Sequence, residues 1–70
     1  MMIEIFKTNV QKICQAETLV CELLQQFPNS KINFDLDDCD KILRIEGMSV
    51  LADKVMMLLK ENGFNCRLLE

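Results

Sequence analysis

The chain has no histidine, no tryptophan and no tyrosine. Without histidine it lacks the commonest general base near neutral pH and the commonest neutral metal ligand. Proline and glycine are scarce, at one and two residues, while half of the chain is hydrophobic. That balance argues against a disordered chain. No apolar run approaches the roughly 18 residues of a membrane span. The opening residues Met1-Met2-Ile3-Glu4-Ile5 have neither the basic start nor the apolar core of an export signal. A cytoplasmic location, away from membranes, is the expectation. No basic run occurs and the net charge is −3, which argues against nucleic acid as a partner.

What is present fits one small domain over residues 1–70. A chain of this length buries only about 60% of its unfolded surface, so its stability margin is thin. The four cysteines are Cys14, Cys21, Cys39 and Cys66. Their even number invites a disulfide reading, but the missing export signal makes free thiols the expectation.

Ile3 to Thr8 reads as a strand. Placing Ile3 and Ile5 toward the core puts Met2, Glu4 and Phe6 on its other side. Thr8-Asn9 offers capping chemistry for a helix from about Gln11 to Phe27. Its apolar stripe is Ile13, Ala16, Val20, Leu23, Leu24 and Phe27. Pro28 ends it. Ile32, Phe34 and Leu36 alternate with polar residues as a half-buried strand. Asp37-Asp38-Cys39-Asp40 is turn chemistry. Lys41 to Glu46 returns with Leu43 and Ile45 inward and Ile42 and Arg44 outward, completing a hairpin. Ser49 is the candidate cap of a second helix that buries Leu51, Val55, Leu58 and Leu59. Asn62-Gly63 closes that helix. Asn65 to Leu69 is a last strand with Cys66 and Leu68 inward. With right-handed crossovers this order predicts an α+β, ferredoxin-like βαββαβ sandwich: a four-stranded antiparallel sheet with two helices on one face.

Several segments resemble the heavy-metal-associated domain family of copper chaperones and metal-pump domains. They are Asn33-Phe34-Asp35-Leu36-Asp37, then Asp40-Lys41-Ile42-Leu43-Arg44-Ile45-Glu46-Gly47, then Leu58-Leu59-Lys60-Glu61-Asn62-Gly63-Phe64, with Thr8-Asn9-Val10 as the first loop. The resemblance implies a soft metal held by a Cys-x-x-Cys pair at that loop and the following helix start. Here those two positions are Lys12 and Gln15, and neither is a thiol. Val10 falls where the family carries an inward-packing Met. Cys14 lies one residue from the second position, and one residue turns a helical side chain by about 100°. Cys21 is roughly 10 Å further along the helix, too far to share a metal or a disulfide with Cys14.

The other features have plain alternatives. Cys39 among Asp37, Asp38 and Asp40 is either a weak divalent-ion site or a solvated turn, and nearby negative charge disfavours its thiolate. Cys66 reads as a small core hydrophobe. Met48, Met56 and Met57 suggest thioether ligands to copper or, more simply, gap-filling side chains. Lys12 near a helix start opposes the helix dipole and would suit an anion, or has no role. The open sheet face is expected to carry Met2, Phe6, Ile42 and Leu69 among Glu4, Arg44 and Arg67. Phe6, Ile42 and Arg44 are its candidate interaction residues.

No nucleophile–base pair and no glycine-rich phosphate loop is present, so an enzyme is not expected. The expectation is a small non-catalytic binding domain whose inherited metal site is degenerate, with no cofactor, serving as a protein-interaction or regulatory module that meets a protein partner or itself through the open sheet face. The alternative is a domain that takes Cu(I) or Zn(II) through non-standard ligands such as Cys14.

Overall fold

A computed structural model describes residues 2–69. The elements run β1 (Met2–Thr8), α1 (Ile13–Gln26), β2 (Lys31–Asp35), β3 (Ile42–Gly47), α2 (Ala52–Glu61) and β4 (Cys66–Leu69). The strands form one antiparallel sheet in the order β2-β3-β1-β4. This is the ferredoxin-like arrangement expected from the element order.

The hairpin parity follows the sequence. Ile32 lies opposite Ile45 and Phe34 opposite Leu43, so four apolar side chains share the helix-covered face. Asp38 Oδ1 accepts from the Asp40 N–H at 2.9 Å and shapes the turn. Lys41 then adopts a left-handed backbone (φ 46°) as the chain enters β3. At the end of α2, Gly63 takes φ 87°. Its N–H donates to the Lys60 carbonyl at 3.0 Å, and that of Phe64 donates to the Leu59 carbonyl at 2.9 Å. This pair of bonds satisfies carbonyls that a helix end otherwise leaves free.

The parity of β1 is the reverse of the expectation. Phe6 is fully buried, whereas Ile3 and Ile5 are 49% and 38% exposed. Phe6 lies between Leu43 of β3 and Leu68 of β4, both turned toward the helices. A central strand with inward residues on both sides must place its own partner inward, because a one-residue slip would flip every side chain. The aromatic ring also has more area to bury than either isoleucine. Met2 and Glu4 share the alternation of Phe6, so none of these three belongs to the open face.

The helix stripes also shift. In α1 the buried residues are Ala16, Leu19 and Leu23, with Phe27 just beyond. Leu19 was not anticipated, Ile13 is 70% exposed and Leu24 is exposed. The expected stripe therefore merges two: a core stripe, and a flank of Ile13, Val20 and Leu24 rotated toward one side of the helix. In α2, Val55 and Leu59 are buried and Leu58 is half-buried, while Leu51 is exposed at the N-cap. Val10 and Val50, ahead of the two helices, complete the core.

The helix caps differ as well. Lys12 and Leu51 occupy the N-cap positions. Thr8 is spent elsewhere: its buried hydroxyl donates to the Lys41 carbonyl and accepts from the Val10 N–H. Asn9 Oδ1 accepts from the Asn65 N–H at 2.7 Å, tying the first loop to the start of β4. Ser49 is exposed in a bend before α2.

Candidate functional site

The positions where the resemblance would place a metal-binding pair lie at the start of α1. Lys12 is exposed at the N-cap. Gln15 is three residues on, and its Oε1 accepts from the Lys12 N–H at 3.3 Å. An ammonium group cannot ligate a cation, and the amide oxygen closes the first helical turn. This donor set does not fit a soft metal ion. Cys14 is exposed between them, and its carbonyl accepts from Thr18 Oγ1 at 3.0 Å. Its nearest cleft is bounded by Gln15, Thr18, Leu19, Asn62 and Phe64, which adds no further thiol or carboxylate.

Asp38, Cys39 and Asp40 bring one potential ligand atom each within 4.8 Å of one another. The fold already uses this turn. Asp38 accepts from Asp40, and Asp40 Oδ1 pairs with Lys7 Nζ at 3.3 Å. All four cysteines are free. Cys66 is half-buried, and burial pushes its thiol up from 9.0 to about 12, so it stays protonated and inert at neutral pH. Of the methionines read as core fillers, Met48 and Met57 are exposed and Met56 is half-buried.

The open face of the sheet has a defined make-up, fixed by alternation and register. Ile3 and Ile5 stand on β1, Ile42 on β3 and Leu69 on β4. Ile5 is flanked by Arg44 and Leu69, and Lys7 by Ile42 and Arg67. Ile42 and Arg44 are therefore where the sequence placed them, and Phe6 is not. Lys31, Lys7, Arg44 and Arg67 surround the aliphatic centre together with Glu46, opposite Ile3, and Asp35, opposite Ile42. Arg44 pairs loosely with Glu46 at 3.6 Å and Lys7 with Asp40, while Lys31 and Arg67 form no ion pair among the described residues. The aliphatic centre went unread because both parities of Met2–Thr8 contain apolar residues.

The fold and this surface define a small ferredoxin-like α+β domain. Among the described residues, no helix is long and apolar enough to cross a membrane. Comparison with protein-family models, curated proteins and solved structures gives no match.

Proposed function

We propose that this is a non-catalytic protein-interaction domain, related to heavy-metal-associated domains but without their metal chemistry, which binds a protein partner through the open face of its sheet. The observation that carries the reading is the pair Ile3 and Ile5, left exposed on a central strand and bordered by Ile42 and Leu69. Contiguous apolar surface rimmed by polar groups is the signature of an interaction site. The rim carries four cations, Lys7, Lys31, Arg44 and Arg67, against Asp35 and Glu46, an excess of positive charge that suits a partner surface with an apolar centre and acidic margins. Against catalysis stand the missing histidine and the engagement of the Cys39 turn, where Asp38 accepts from the backbone and Asp40 pairs with Lys7. Against soft-metal binding stands the donor set at Lys12 and Gln15.

The test is an NMR titration of the full chain with an amphipathic helical peptide bearing leucines on one face and glutamates along its margins. Amide shifts at Ile3, Ile5, Ile42, Arg44 and Leu69, abolished by Ile5→Asp, support the reading. Shifts confined to the helices, or none at all, overturn it.

A further inference from the structure

The two edges of the sheet are unlike each other in a way that makes them fit. At one edge, β2 has β3 as its only neighbour among the described residues, which leaves its outer backbone groups unpaired there. A cleft of about 610 Å³ runs between this strand and α1. Val20, Ile32, Phe34 and Leu36 line it, and Ile13, the most exposed residue of the α1 flank, stands at its margin. Its charged residues are Glu17, Asp35 and Asp37, with no lysine or arginine among them.

At the other edge, β4 has only β1 for a neighbour among the described residues. A cleft of about 720 Å³ lies between β4 and α2. Its apolar lining includes Met56, Phe64 and Met57, the last 62% exposed. Its charged residues are Lys7, Lys60 and Arg67 against the single carboxylate of Asp53. One edge is thus acidic and apolar, the other basic and apolar. Each offers a row of free backbone donors and acceptors, the feature that lets one sheet extend into another.

We propose that the occupant of the β2 edge is the β4 edge of a second copy of this chain, joined head to tail. Every neighbouring pair in the sheet is antiparallel. A copy translated along the sheet therefore brings its β4 beside β2 in antiparallel sense, with its α2 on the same side as α1. The join sets Lys60 and Arg67 against Glu17, Asp35 and Asp37, and the α2 methionines against Ile13 and Val20. It is heterologous, so each added copy leaves the same two edges free. The join draws on Asp35 and Arg67 at the margins of the open sheet face but leaves its aliphatic centre of Ile3 and Ile5 uncovered, so the edge contact and the function proposed above can fail separately.

The experiment is sedimentation velocity on the reduced full chain, from micromolar to millimolar protein, at low salt and at roughly 0.5 M salt, where exposed charges are screened. The expected result is a weight-average mass that climbs from the 8.1 kDa monomer with concentration at low salt and falls back at high salt. Two charge reversals test the join itself. One is Asp35→Lys with Asp37→Lys, the other Lys60→Glu with Arg67→Glu. All four residues are exposed. Each double variant alone should stay monomeric, and an equimolar mixture, in which basic edges meet acidic ones, should associate again. A wild-type chain that is monomeric at millimolar concentration overturns the proposal. So does association that survives both reversals, or a mixture that fails to restore it. Loss of association on Ile5→Asp, with both reversals silent, also overturns it and moves the contact to the open face.

Discussion

The two neighbours Phe6 and Ile5 stand on opposite faces of one central strand, and truncating each in turn measures which face is the core. Phe6 is fully buried between Leu43 and Leu68. Phe6→Ala removes a ring that no neighbour can replace, at a cost of about 3–5 kcal/mol. A domain of 70 residues has about 4–10 kcal/mol of stability in total. The variant should therefore be marginal, with much of the population unfolded at moderate temperature. Ile5 is 38% exposed on the open face. Ile5→Ala loses part of its burial and some strand preference, about 1 kcal/mol. Urea titration followed by far-UV circular dichroism reads both, since the chain has no tryptophan or tyrosine to serve as a fluorescent probe. At about 1–3 kcal/mol per molar urea, the midpoint of Phe6→Ala should fall by more than 1 M and that of Ile5→Ala by less. Equal losses, or a larger loss for Ile5→Ala, would refute the assignment of the two faces.

Three further outcomes follow from the sites. In competition titrations of the reduced protein with Cu(I) and Zn(II), the wild type should bind neither tightly. The double variant Lys12→Cys, Gln15→Cys should gain affinity, because the N-cap and the third helical residue face each other across the first turn, where the helix N-terminus favours thiolates. One tight equivalent on the wild type would refute the exclusion of soft metals. Cys66 has a folded-state pKa raised to about 12, so its contribution to stability is complete below pH 9 and is lost as pH rises from there toward 12. Cys66→Ala should flatten that alkaline loss, and in native protein at pH 8 iodoacetamide should modify Cys14, Cys21 and Cys39 at least roughly tenfold faster than Cys66. Gly63→Ala meets no atom within 4 Å but must hold φ 87°, so it should cost about 1–2 kcal/mol in the same urea titration.

How far the sequence could be read depended on how many patterns each segment allowed. In β2 only Ile32 and Phe34 are apolar between Lys31 and Asp35, so one parity was available and it was the right one. In β1 the odd positions carry two isoleucines and the even ones Met2 and Phe6. Only the neighbours Leu43 and Leu68, distant in sequence, decide between them. In α1 a core stripe and an exposed flank are both apolar, and their sum looks like one broad stripe until the sheet beneath the helix is known. Thr8 and Asn9 look like caps because their side chains bond backbone, and they do so, but to Val10, Lys41 and Asn65. The charge of the two edges was beyond reach for another reason. Glu17 joins Asp35 and Asp37, and Lys60 joins Arg67, only through packing between a helix and a strand.

The twist of the sheet sets the form of any edge-to-edge assembly. Successive strands rotate by about 20–25° in a fixed hand, so four of them turn by about a quarter of a revolution. Strands lie about 4.8 Å apart, so each copy would advance an array by about 19 Å. A chain of copies would wind as a slender spiral with about four subunits per turn. Its open faces would point outward in succession around the axis. A partner with several weak contact points would then meet repeated, regularly rotated binding faces, and its hold would grow through avidity rather than through any new contact.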